Sequence, residues 1–105
     1  MNRLEQLKSL LEESPDNDFI LFAIAKEHQK HDRLEEAKDA FYHLKKLHPS
    51  YVGLYYHLGQ VCEELEQPTE AMEVYTEGIE VAKKQSDFHA VSELMNVKTN
   101  LEMEL

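Results

Sequence analysis

The chain has 105 residues, 42% hydrophobic and 30% charged, with three glycines and three prolines. That is the size of one small domain and a globular composition, and it favours long helices with short turns. Eleven basic against 21 acidic residues leave a net charge of −10, which argues against nucleic acid and anionic membranes, since both demand basic surface.

The charge is uneven: residues 16–49 carry −1, residues 50–85 carry −5 and residues 86–105 carry −3. Either the C-terminal half prefers cationic or neutral partners, or the excess acid serves solubility alone. Cys62 is single, so no intrachain disulfide is available. The start, MNRLEQLKSLLEE, has no uninterrupted apolar core and no small-residue cleavage site. No run approaches the roughly 18 apolar residues of a membrane span. A cytoplasmic protein is the expectation.

In chain order, residues 2–13 form a first short helix with Leu4, Leu7, Leu10 and Leu11 as its apolar stripe, ended by Pro15. Asp16, Asn17 and Asp18 offer N-caps for a helix over about 17–31, with Leu21, Ile24, Ala25 and His28 inward. His31–Asp32–Arg33 is a tight turn. The next helix is capped by Asp32 and stopped by Pro49, and its stripe is Leu34, Ala37, Ala40, Phe41, Leu44 and Leu47. Residues 51–66 make a helix with Tyr55, Leu58, Gly59 and Cys62 inward. Pro68 opens a helix to 84 that buries Ala71, Tyr75, Gly78, Ile79 and Ala82. Ser86 or Asp87 caps a last helix to about 103, with Phe88, Val91, Met95 and Leu101 as its stripe.

A shift of 34 residues superimposes the pattern on itself. Ala37 falls on Ala71, Phe41 on Tyr75, Ala25 on Gly59, and Pro15 on Pro49. The first full copy reads Leu21-x2-Ile24-Ala25-x2-His28, then Ala37-x3-Phe41, then Pro49. The second reads Tyr55-x2-Leu58-Gly59-x2-Cys62, then Ala71-x3-Tyr75.

This pattern resembles the tetratricopeptide repeat, a 34-residue helix–turn–helix unit, and looks most similar to small bacterial proteins with two such repeats and flanking helices. The departures are His28 and Cys62 at an aromatic position, Gly78 at a position usually larger or Ala, and Lys83 in place of Pro. The resemblance implies an all-α fold of antiparallel helix–turn–helix repeats, stacked as a short right-handed solenoid of about six helices. It implies one domain over residues 1–105. Residues 1–15 cap the N-terminus, 16–49 and 50–85 are the two repeats, and 86–105 cap the C-terminus. For the last helix we favour a 33-residue spacing, which puts Ser92 rather than Glu93 at the small position.

The resemblance further implies a module that binds a protein or peptide in a concave groove lined by the first helix of each repeat. The groove positions are Phe19, Phe22, Ala23, Lys26, Gln29 and Lys30 in the first repeat. The second repeat supplies Gly53, Tyr56, His57, Gln60, Glu63 and Glu64, and the last helix His89, Ala90, Glu93, Asn96 and Val97. Phe22, Tyr56 and His57 are not demanded by the packing pattern and suit anchoring of a partner. Either the groove is open or the C-terminal helix fills it. Some family members clamp a chaperone's acidic tail, but the clamp positions here carry Phe22, Lys26, His57, Ser86 and Ala90, of which only Lys26 is basic at neutral pH. A peptide with an apolar anchor and a basic residue for Glu63, Glu64 or Glu93 fits better.

The alternative is a self-associating helical module, a homodimer built on Leu4, Leu11, Val97 or Leu101. A metal-dependent enzyme is a distant third. Six histidines invite it, yet no H-E-x-x-H, phosphate loop or nucleophile–base pair is visible. No catalytic residue, metal or cofactor is expected.

Overall fold

The computed structural model describes residues 2–105. Among these residues there are six helices and no strand: α1 (Arg3–Glu13), α2 (Asp18–Lys30), α3 (Leu34–Leu47), α4 (Gly53–Glu64), α5 (Pro68–Lys84) and α6 (Phe88–Glu104). The fold class is therefore the expected one, all-α and built from antiparallel helix–turn–helix pairs. The helices fall into two compact units, one ending at Tyr51 and the other running Val52–Leu105.

In the first unit α2 and α3 form a helical hairpin, and α1 packs on α2. The hairpin core is Leu21, Ile24 and Ala25 against Ala37, Phe41 and Leu44. These residues recur at three and four, so each helix turns one apolar face inward, and α3 leaves Glu35, Glu36, Asp39 and Lys46 in solvent. Of the leucines expected in the α1 stripe only Leu7 is buried, while Leu10 is 51% exposed. Leu47 is likewise exposed, being one turn past the last core residue of α3.

In the second unit α5 packs on α4, and α6 packs on both. Two glycines set the α4–α5 contact. A Cβ on Gly59 would lie 2.0 Å from Cε1 of Tyr75, and one on Gly78 would lie 2.5 Å from Cβ of Tyr55. Each tyrosine thus lies against the bare backbone of the facing helix. Both rings are fully buried. Gly78 has a second occupant, since Leu94 Cδ1 of α6 lies 3.1 Å from the same Cβ position.

This seat fixes the rotation of α6 and corrects the expected stripe. Leu101 faces inward as expected, but with Ala90 and Leu94 beside it, whereas Phe88 is 70% exposed and Met95 50% exposed. Val91 is half-buried, and both Ser92 and Glu93 are in solvent, so neither proposed register of the last helix holds. Leu94 is the side chain that fills the hollow above Gly78, and the rest of the helix follows it. Leu101, offered above as a surface for a second copy, is buried at 4% exposure and belongs to this core.

The turns also differ from expectation in one respect. Asp32 does not cap α3: it has φ 57° and ends α2. Its N–H donates to the Gln29 carbonyl at 3.1 Å, and the Arg33 N–H donates to the His28 carbonyl at 2.9 Å. That pair of bonds is a Schellman motif. The motif recurs at Glu66 (φ 59°), with Gln67 N–H to Cys62 carbonyl at 2.9 Å, and at Ser86 (φ 55°), with Asp87 N–H to Ala82 carbonyl at 3.0 Å. None of the three left-handed residues is glycine, so the usual sequence signal of this turn is missing. Side-chain N-caps are supplied instead by Asn2, Asn17 and Asp87, which accept from the N–H groups of Glu5, Ile20 and Ala90 at 2.8, 3.0 and 3.1 Å. Pro68 starts α5, where its missing N–H has no partner to lose.

Two substitutions test this account by chemical denaturation. Gly78→Ala is expected to destabilise by about 1–3 kcal/mol despite the better helix propensity of Ala, because Tyr55 Cβ cannot retreat. Glu66→Gly is expected to stabilise by about 0.5–1 kcal/mol, by relieving the left-handed backbone.

Candidate functional site

The positions proposed for a binding face lie on the first helix of each repeat and on α6. On α2, Phe19, Phe22, Lys26 and Lys30 share one side at spacings of three and four. Phe19 is 66% exposed and both lysines are exposed. Phe22 is half-buried. Its ring sits 5.0 Å from that of Tyr51 and 6.1 Å, edge-on, from that of Phe41. The Lys26 ammonium stands over it, 5.4 Å from the centroid. Phe22 is therefore partly a packing residue, with one face roofed by a cation.

Tyr51 was not foreseen as part of this group. The sequence pattern begins a helix at residue 51, but α4 starts at Gly53, and Tyr51 lies in the connection after Pro49. Burial, and then the Asp18 carboxylate, raise the pKa of its hydroxyl. The same end of α3 is tied down by His48, whose Nε2–H donates to the Asp16 carbonyl at 2.5 Å.

On α4, Tyr56 and His57 are half-buried neighbours, with ring centroids 5.5 Å apart and planes at 79°. Gln60 is not a free binding group. Its Nε2 donates to the Tyr75 hydroxyl at 2.9 Å, and that hydroxyl donates in turn to Glu63 Oε2 at 2.5 Å. Burial, reinforced by the Glu63 carboxylate, pushes the Tyr75 hydroxyl far above the usual tyrosine range. The shift favours the neutral phenol, the form that donates this bond. Glu64, one residue on, is exposed at the end of the helix. On α6, His89 and Glu93 are both exposed and stand 3.6 Å apart as an i, i+4 pair. Ala90 is buried and is withdrawn from the groove positions.

His28, at the family's aromatic position in α2, is half-buried and accepts at Nδ1 from Arg33 Nε at 3.0 Å. Burial, and then the charge of Arg33, hold its pKa below 6.5, against smaller opposite effects of Glu36 and Glu27. Lys8 of α1 adds to the lowering. Its partner in the turn, His31, lies against Glu27 at 3.0 Å. Among the described residues no group of three or more His, Cys, Asp or Glu side chains is placed to hold a metal, and Cys62 is buried. No helix of the described residues is long and apolar enough to cross a membrane.

Repeated helical hairpins with a small-for-large seat at the helix crossing define a class of interaction scaffold. Residues 52–85 match the family model of the tetratricopeptide repeat. A tetratricopeptide repeat domain protein of Salinibacter ruber, solved in solution, is 39% identical and covers 85% of this chain and 90% of its own, with a TM-score of 0.80. The chain belongs to the tetratricopeptide repeat family. A Bordetella parapertussis protein at 21% identity shares the fold at a TM-score of 0.88, covering 99% of this chain and 90% of its own. So does the type III secretion translocator chaperone SycD of Yersinia enterocolitica, at 8% identity and a TM-score of 0.88, covering 96% of this chain and 70% of its own. No curated protein sequence gives a significant match. The fold is in general a protein–protein interaction module.

The His28–Arg33 bond gives a pH prediction with a definite sign. The folded state binds the His28 proton less readily than the unfolded chain does, so the stability this residue contributes is complete above pH 6.5. It is lost as the pH falls from there through the lowered folded-state value. Thermal melts at pH 7.5 and pH 5 should therefore show a larger loss for wild type than for His28→Gln, which can accept from Arg33 without titrating. Equal losses would remove His28 from the account.

Proposed function

We propose that this chain is a non-catalytic adaptor. In this reading residues 1–105 act as one tetratricopeptide-repeat domain and bind a protein or peptide through the exposed sides of the first helices. The first repeat contributes Phe19, Phe22, Lys26 and Lys30, the second Tyr56, His57 and Glu64, and the last helix His89 and Glu93, while Gln60 is left to its bond with Tyr75. The partner is a segment with an apolar anchor for the aromatic rings and basic residues for Glu64 and Glu93.

One observation carries this reading. At positions separated by one repeat, Phe22 and Tyr56 both present half-exposed rings beside polar heads. Lys26 stands over Phe22, and His57 meets Tyr56 edge-on. Aromatic groups of this kind, apolar in the body and polar at the edge, contribute most of the energy in many interfaces. Neither Lys26 nor Tyr56 belongs to the buried core, so each can be truncated without opening a cavity.

The test pans a displayed peptide library against the wild-type protein and titrates the recovered peptides against Lys26→Ala and Tyr56→Ala. Each truncation is expected to weaken binding by about 1–3 kcal/mol while the melting temperature holds. Phe22→Ala is a poorer probe, because it also removes packing from Phe41 and Tyr51. Undiminished affinity in both variants would take the site off these helices.

A further inference from the structure

The outward faces of α5 and α6, within the second unit, form a separate apolar trough. Two adjoining hollows share Thr76 and Glu80: Met72 lines the one on α5, and Met95 of α6 lines the other, whose floor is the buried Ile79. The Thr76 hydroxyl donates to the Met72 carbonyl at 2.8 Å, so it asks for no partner in the trough. The strip continues along α6 to Phe88, two turns before Met95, and both side chains are at least half exposed. Seating Leu94 over Gly78 is what turns Phe88 and Met95 outward. The helix therefore has an apolar face beyond the one it buries, which nothing in this fold requires.

The rim of the trough is acidic. Glu73, Glu77, Glu80 and Glu102 line it. Its two lysines are set against carboxylates of the same rim, Lys83 at 4.0 Å from Glu80 and Lys98 at 3.9 Å from Glu102. Over residues 52–105 three lysines face eleven carboxylates, a net charge of −8. A second copy would bring an equal negative charge to the same face, which opposes pairing. Methionine on both walls suits a partner whose side chains are not matched one for one, because the thioether repacks at low cost.

We propose that this α5–α6 trough docks a basic amphipathic helix of another protein, with its apolar stripe on Met72, Met95 and Phe88 and its lysines or arginines on the glutamate rim. This surface is independent of the α2 and α4 faces assigned above and uses none of their residues.

The probe is a synthetic amphipathic peptide of about 18 residues, leucine on one helical face and lysine on the other, with a twin carrying glutamate for lysine. Titrated at low salt against the full chain, the lysine peptide is expected to bind at least about tenfold more tightly than its twin. The double variant Met72→Ser/Met95→Ser should weaken it about tenfold, and so should Glu73→Lys/Glu80→Lys. Reversal of charge elsewhere, in Glu12→Lys/Glu13→Lys on α1, should change it less than about twofold. Tyr56→Ala should leave it unaltered, which separates this surface from the adaptor face. Circular dichroism confirms that each variant is folded. Equal binding of the two peptides, equal loss from the α1 reversal, or no loss from the methionine pair would overturn the proposal. So would a dimer in sedimentation that Met95→Ser dissolves, which would give the face to a second copy.

Discussion

The second unit depends on two backbone approaches of opposite sense across one helix pair. Tyr75 lies on Gly59, and Tyr55 lies on Gly78. A methyl group at either glycine would occupy space already filled. The first repeat solves the same crossing with other volumes. One period earlier, Leu21 stands at the place of Tyr55 and Leu44 at that of Gly78. Volume added to one helix is withdrawn from the other, which is how a close-packed interior keeps its density when the residues change. Gly78, the departure from the family's pattern, is thus the counterpart of a large Tyr55 rather than a defect in the repeat.

That choice propagates. The hollow at Gly78 takes Leu94, and with it the rotation of α6. The tyrosine that covers Gly59 extends its hydroxyl to Gln60 and Glu63 on α4, so the polar edge of the helix pair is locked by the same side chain that fills its core. A buried phenol must find partners, and here it finds them among residues that would otherwise be read as solvent-facing. The turns add rigidity of another kind. Three Schellman motifs place Asp32, Glu66 and Ser86 in the left-handed region without a glycine. Six-to-one bonds to the preceding helix hold them there, and they allow each hairpin to reverse within a few residues.

Two sets of aromatic residues differ in what they do, beside the exposed Phe19 and Phe88. Phe41, Tyr55 and Tyr75 are buried and hold the hairpins together. Phe22, Tyr51, Tyr56 and His57 are half-buried and stand at the boundary between core and solvent. A ring in that position is fixed by its neighbours and still offers area to a partner, so little side-chain entropy is lost on binding. Charge then separates the halves. Lysines accompany the rings on α2, while glutamates accompany those on α4 and rim the α5–α6 face.

The sequence by itself determined the helices, the 34-residue repeat, and most inward residues of α2 to α5, though it took Leu47 as buried and missed Leu54, Val61 and Val74. Each of these is a property of local period, and the period agrees with the packing at the centre of both hairpins. It also placed the candidate positions on α2 and α4, through the family's register. Three things had to wait for the tertiary structure. Gln60 is bound to Tyr75, 15 residues away, and no helical period links them. Asp32 looks like an N-cap from its residue type, but the bonds that put it in the left-handed region run back into α2. The phase of α6 was misjudged at all but Leu101, because its sequence carries two apolar sets of similar strength, Phe88–Val91–Met95 and Ala90–Leu94, and Leu101 was joined to the first of them. Local hydrophobicity cannot choose between such faces. The choice was made by the space left above a glycine ten residues before the helix begins.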